Sequence, residues 1–290
     1  MELKKSTIIQ IFLQIFRTTK EACNFISAGH FARGVAWFLV RNKTSLIGNG
    51  AKGIRKNGGG GLFESGFKEL SPLNQSLVDE LVKYFLGRNN NRGITLSEYF
   101  NANRESGFIR SSPIGIELDA DLMSKLLRAT NLCELVCAYL RLPKRDIFFS
   151  AKIDSLTRIS GKRNFLNGYD DALKFHRDVD SMKFVKAFIY LNDISEGSGH
   201  HEVFLGSHRK IPWSLRVIRR VDEYEIEKKM PACRKMKITG TRGYSWIEDT
   251  TTFHRGTVPH SGDRLMLSLS FNDKKTAELL YDDYYPLTMY

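Results

Sequence analysis

Apolar residues recur at helical spacing in the first half of the chain and at strand spacing in the second. In "STIIQIFLQIFR", Ile8, Ile11, Phe12 and Ile15 share one helical face, while Gln10, Gln14 and Arg17 lie away from it. A second apolar-basic stretch, "FARGVAWFLVR", follows, and "GNGAKGIRKNGGGG" then reads as a flexible connection. "SPLNQSLVDELVKYFLG" predicts a helix with Ser71 as N-cap, Pro72 in the first turn and Gly87 at the stop. Leu77, Val78, Leu81 and Phe85 form its buried face. Another helix is predicted from about Asp119 to Arg141, its Leu and Cys residues serving the core.

From about residue 147 short strands replace helices: "DIFFSAKI", "FVKAFIYL", "EVFLG", "GYSWIE" and "RLMLSLSF", separated by Gly, Asn, Asp and Ser. The last has two unlike faces. Arg264, Met266, Ser268 and Ser270 share one, and Leu265, Leu267, Leu269 and Phe271 share the other, so the polar side is expected to line a pocket. Helices followed by strands predict an α+β chain, and many short antiparallel-looking strands predict a sandwich or jelly roll. The aromatic tail "ELLYDDYYPLTMY" is expected to pack on the body.

Charge divides the chain. Residues 1–60 hold ten Lys/Arg against Glu2 and Glu21, a net +8 out of the total +12. The other 230 residues are nearly balanced, with 34 basic and 30 acidic groups. The expected organisation is a basic amphipathic N-terminal helical extension, 1–60, followed by one large domain, 61–290. The extension's apolar face is first of all a packing signal, for the outside of the body or a dimer contact; its combination with positive charge also suits an anionic membrane surface, which is the alternative. No stretch reaches the roughly 18 apolar residues of a membrane span. Two glutamines interrupt the first apolar run and no small-x-small site follows promptly, against a signal peptide. The four scattered cysteines lack the paired clusters of a zinc site and read as buried thiols of a reducing compartment. A cytoplasmic location, peripheral at the inner face of a membrane if the extension adsorbs there, is expected.

The candidate chemistry begins at "KFHRDVD". On a strand, His176 and Asp178 point the same way and Arg177 the other. With a second histidine they would form a two-histidine, one-carboxylate face that leaves coordination positions open, the arrangement of non-haem Fe(II) oxygenases. His-x-Asp alone is common by chance, so the rest of the chain must carry the reading. "TTFHRGTVPHSGDRLMLSLSF" offers His254 and His260 as the further ligand, and Arg264 as a planar donor suited to a carboxylate.

Three ordered segments, "FHRDVD", "AFIYLNDISEGSGHHEVFLGSHR" and "FHRGTVPHSGDR", resemble the phytanoyl-CoA dioxygenase family of Fe(II)/2-oxoglutarate-dependent oxygenases. "ESGFKELSPLNQSLVDELVKYF" resembles the family's opening strand and helix, so the resemblance spans roughly residues 62–272. It implies a double-stranded β-helix (jelly-roll, cupin-like) core with flanking helices. His176, Asp178 and His254 would be the iron ligands. Arg264 would hold the distal carboxylate of 2-oxoglutarate, with Ser268 beside it in the cosubstrate site. His254 is preferred to His260 because the family's ligand lies about ten residues before the arginine. His208 in "GSHR" is read as structural or at the pocket edge. His200 and His201 depart from the family's apolar residues and are read as a solvated turn, with a substrate-facing position as the alternative.

The implied activity uses Fe(II), 2-oxoglutarate and O2 to hydroxylate a C–H bond of a small molecule, lipid or glycan-type intermediate, giving succinate and CO2. Related halogenases replace the carboxylate ligand with a small residue; Asp178 is present, which favours hydroxylation, desaturation or ring formation. Nucleic-acid demethylases of the superfamily commonly carry a second arginine six residues after the first, and here that position is Ser270, so nucleic acid is not the expected partner. A metal-binding jelly roll without oxygenase activity is the rival of another class. Segments 88–118 and 212–240 are the expected pocket walls.

Overall fold

A computed structural model describes residues 60–89, 95–105, 110–116, 120–157, 174–178, 183–216, 218, 220–274, 277 and 284–289. The expected extension over 1–60 lies, but for Gly60, outside these residues. In chain order the described elements begin with α1 (Gly60–Ser65), β1 (Phe67–Glu69), α2 (Gln75–Asn89), α3 (Leu96–Glu105), β2 (Arg110–Ile116), α4 (Ala120–Thr130) and α5 (Leu132–Leu140). Strands β3 (Ile147–Leu156), β4 (Phe175–His176), β5 (Phe184–Tyr190) and β6 (His201–Leu205) follow. Then come α6 (Trp213–Arg216), β7 (Arg220–Val221), α7 (Glu223–Lys229), β8 (Arg234–Ile238), β9 (Ser245–Glu248), β10 (His254–Gly256), β11 (Arg264–Asp273) and β12 (Tyr285–Pro286).

The strands form two antiparallel sheets. The larger runs β1-β9-β5-β11-β3-β12, with β2 also paired to β3, and the smaller runs β7-β4-β10-β6-β8. From β3 to β6 the chain alternates between the sheets, and β9, β10 and β11 alternate again. This is the winding of a double-stranded β-helix, the expected jelly-roll core.

Each strand's two faces explain the layering. Leu265, Leu267, Leu269 and Phe271 of β11, with Val185, Ala187 and Ile189 of β5, are buried on the outer face of the large sheet. They join Leu77, Val78, Leu81 and Phe85 of α2 and Leu122, Met123, Leu126 and Leu127 of α4 in one core. Truncating a fully buried side chain here, such as Leu267→Ala, costs about 2–5 kcal/mol. The inner faces meet in a second cluster of Phe188, Tyr190, Val203, Ile238, Trp246 and Met266. Tyr190 braces the sheets. Its hydroxyl donates to the Ile238 carbonyl at 2.7 Å and accepts from the His201 amide at 3.2 Å.

Two helix boundaries differ from expectation. The Leu70 and Leu73 amides donate to the Ser245 and Gly243 carbonyls, which holds 70–73 extended beside the large sheet. The helix therefore starts at Gln75, and Asn74 rather than Ser71 caps it, its Oδ1 accepting from the Leu77 amide at 2.8 Å. The helix expected over 119–141 is two helices, broken at Asn131, whose φ of 52° is left-handed. Of segment 212–240, expected to help wall the pocket, Ile238 and Met236 join the cluster between the sheets, but three other described residues do not. Leu215, Ile226 and Met230 join Phe175 and Phe204 on the outer side of the small sheet, facing away from the space between the sheets. The aromatic tail meets the body where β12 pairs with β3.

Candidate metal centre

The small sheet places two histidines opposite each other. His176 on β4 pairs with His254 on β10, and their rings are 4.4 Å apart between centroids. Asp178 follows two residues after His176, its amide donating to the Thr250 carbonyl. Among the described residues, His176, Asp178 and His254 form the group able to hold a metal ion, each offering an atom within 4.8 Å of the others. His260 is exposed and outside the group.

Both imidazoles are set for ligation through the same nitrogen. A carbonyl can only accept, so Nδ1 of His176 donates to Lys174 at 2.9 Å and Nδ1 of His254 donates to Thr252 at 3.0 Å. In the neutral imidazole each Nε2 is then left with its lone pair. The His176 Nε2 lies 3.9 Å from one Asp178 oxygen, and the His254 Nε2 lies 3.7 Å from the other. Backbone acceptors that fix the tautomer are a usual outer shell of metal-bound histidine. The donor set thus fits a divalent metal that takes imidazole and carboxylate and keeps positions open.

The large sheet supplies a cation to the same spot. Lys186 on β5 donates to Asp178 Oδ2 at 2.7 Å. Burial pushes the Asp178 carboxyl up, but Lys186, His254 and His176 outweigh it and hold the group well below the usual carboxylate range. Asp178 is therefore an anion, the form a metal needs.

Arg264 lies farther along the same space. It is buried, its Nη1 donating to the Gly199 carbonyl and its Nη2 to Asp154 Oδ2, both at 2.8 Å, while Nε is buried without a partner. The guanidinium lies against Gly256, where an added Cβ would come within 3.2 Å of Nη1. Gly256 is two residues beyond His254 on one strand face. Metal donors and guanidinium are thus offset by about 6.8 Å of strand. Ser268 shares the Arg264 face, and its hydroxyl donates to the Lys152 carbonyl at 3.3 Å.

Neither His200 nor His201 is a solvated turn; both are buried. Nδ1 of His200 donates to the Glu196 carbonyl at 2.9 Å and lies 3.2 Å from Thr257 Oγ1, and its Nε2 lies 3.4 Å from Glu202 Oε1. His201 pairs with Gly256 in register, and its ring stacks on His254 at 5.4 Å and 17°. It therefore borders the path from the metal donors to Arg264. Its Nε2 is 3.1 Å from Glu248 Oε2, close but not aligned as a hydrogen bond. Burial pushes the His201 pKa down, against the pull of Glu248. Glu248 is fully buried and accepts from Trp246 Nε1 and Thr252 Oγ1. Burial pushes its carboxyl up, but His201, His254 and Trp246 prevail and hold it below the ordinary range. His208 is structural, its Nε2 donating to the Phe63 carbonyl of α1 at 3.3 Å.

No protein-family model matches the chain, and no curated protein does. Solved structures similar to it include EctD from S. alaskensis with 2-oxoglutarate and 5-hydroxyectoine, at 14% identity over 74% of this chain and 75% of that one, TM-score 0.48. The non-heme alpha ketoglutarate dependent carbocyclase SnoK from nogalamycin biosynthesis is similar at 14% identity over 76% and 85%, TM-score 0.46. A non-heme monooxygenase, the ThoJ–Ni complex, is similar at 13% over 74% and 76%, TM-score 0.46.

Proposed function

We propose that the chain is an Fe(II)/2-oxoglutarate-dependent oxygenase of the phytanoyl-CoA dioxygenase type, hydroxylating an unactivated C–H bond of a small molecule, lipid or glycan-type intermediate. The supporting observation is one arrangement. Two Nε2 lone pairs and an anionic Asp178 converge about two strand residues from a buried guanidinium whose Nε has no partner. A short dicarboxylate spans such a gap, chelating at one end and held by arginine at the other.

Iron with 2-oxoglutarate and O2 supplies oxidising power for the C–H bond, giving succinate and CO2. His176, Asp178 and His254 would hold the metal and leave positions for cosubstrate and oxygen. Arg264 would orient the distal carboxylate through its Nε and remaining N–H groups, and Gly256 leaves the guanidinium room to lie flat. The apolar inner wall of Phe188, Trp246 and Met266 would exclude water.

The deciding experiment is Fe(II)-dependent conversion of 2-oxoglutarate to succinate. Arg264→Ala should weaken 2-oxoglutarate binding by about 30- to 1000-fold while leaving iron binding far less changed. Absence of succinate with iron bound would leave a metal-binding jelly roll without oxygenase activity. No described helix is long and apolar enough to cross a membrane. Adsorption of residues 1–60 to an anionic surface is part of the same proposal, because it would bring a lipid-linked substrate to the site.

A further inference from the structure

The buried partner of Arg264 is a second inner-face residue, Asp154. β3 and β11 pair so that Asp154 lies opposite Met266, one step along from Arg264 on the same face. Its Oδ2 takes the Arg264 Nη2 at 2.8 Å, and the side chains are only 7% and 4% exposed. The guanidinium has five N–H donors. Asp154 and the Gly199 carbonyl each take one, and the orphan Nε–H remains, so the arginine keeps donors for a carboxylate ligand. That ligand would share one cation with the Asp154 carboxylate in a space nearly closed to water. Two carboxylates so close repel, and little solvent screens them.

We propose that Asp154 is an internal competitor for the ligand carboxylate at Arg264, and that it sets how strongly this site prefers a charged over a neutral distal group. The inference rests on the reading of Arg264 as the holder of the 2-oxoglutarate distal carboxylate. Asp154 is a specificity-determining residue; it takes no part in ligating the metal. In the wild-type protein its charge offsets much of what Arg264 offers to an anion. Removing the charge while keeping the shape frees the arginine for the ligand.

The test compares 2-oxoglutarate with its 5-amide, which keeps the chelating 2-oxo acid and loses the distal charge. Dissociation constants are measured by calorimetry on the full chain loaded with Mn(II). In the wild-type protein the preference for 2-oxoglutarate over the amide should be below about a hundredfold, since Asp154 removes about tenfold or more, 1.4 kcal/mol per tenfold, from the roughly 1000-fold that Arg264 offers at most. Asp154→Asn should bind 2-oxoglutarate at least tenfold tighter while the amide constant moves less than threefold. A general loosening of the fold would shift both ligands together. Without metal, Asp154→Asn should melt lower than wild type, because Arg264 is left buried and unpaired, and glutarate should restore more stability to it than to wild type. Unchanged or weaker 2-oxoglutarate binding in a folded Asp154→Asn protein overturns the inference. If that variant does not fold, a wild-type preference above a hundredfold overturns it alone. Failure of the underlying reading looks different: 2-oxoglutarate then binds neither protein, and Arg264→Ala changes nothing. Tight wild-type binding that Arg264→Ala abolishes and Asp154→Asn fails to improve sinks the competitor role and leaves the reading intact.

Discussion

Gly256 and Arg264 are in contact through an absent side chain. A Cβ at 256 would sit 3.2 Å from one guanidinium nitrogen and 3.3 Å from the other. The "HRG" segment thereby acquires a physical reading: His254 faces the metal donors, Arg255 faces out, and Gly256 makes room for the arginine of the next strand. Gly256→Ala should push the guanidinium aside. We expect at least a tenfold weaker 2-oxoglutarate Kd with metal stoichiometry retained, measured by calorimetry on Mn(II)-loaded protein. Unaltered affinity would mean that Arg264 does not hold the ligand from this position.

The three proposed ligands should act as a set. Alanine at His176, Asp178 or His254 should abolish 2-oxoglutarate turnover and reduce bound iron, read by metal analysis and succinate formation. His260→Ala serves as the control, since His260 is exposed and outside the donor group. Full activity in His254→Ala would transfer the role to His260.

Acid should expose a different part of the small sheet. On its outer face Glu202 meets Arg255 at 2.6 Å and His200 at 3.4 Å. Burial pushes the Glu202 carboxyl up, but His200 and Arg255 outweigh it and bring the group from the ordinary 4.5 down to about 2. Because the folded value is depressed, the stability it contributes is fully present above pH 4.5 and fades as pH falls toward about 2. Glu202→Gln should be less stable than wild type at neutral pH. It should also lose less stability between about pH 5 and pH 3 in urea titrations. Equal losses in both proteins would show that Glu202 is not linked to folding.

The N-terminal extension is tested by flotation with anionic liposomes at low salt. The full chain should float and a chain starting at Gly61 should remain behind, with the difference shrinking as salt rises. If neither binds, residues 1–60 have another use; a truncated chain that becomes insoluble or changes its oligomeric state points to packing.

Much of this was legible in the sequence because strand residues alternate. The period of two put His176 and Asp178 on one side and divided β11 into a leucine face and an Arg264 face, and both divisions hold. Lys186, Glu248 and Asp154 carry no motif that marks them as site residues, and His201 has a substrate-facing position only as its second reading. They lie on strands remote in sequence, and only sheet register brings them to the same space. A signal was there: Lys186 shares parity with Phe188 and Tyr190, and Glu248 with Trp246, so each is a charge on the inner side of an otherwise apolar strand. Reading it requires knowing which side is inner. The helix limits failed for another reason. Ser71 is a good cap, but the backbone hydrogen bonds of Leu70 and Leu73 to the large sheet overrode local preference.

β4 is only two residues long, yet it carries His176, and Asp178 lies two residues beyond it. Its neighbour β10 carries His254. An ion held by all three would therefore rivet a very short strand to the centre of its sheet. Chelation would then do more than remove a reactant. It would turn the small sheet into the first part of the molecule to breathe, with amide exchange quickening around residues 175–178 and 254–256 while the leucine-packed side of β11 stays shut.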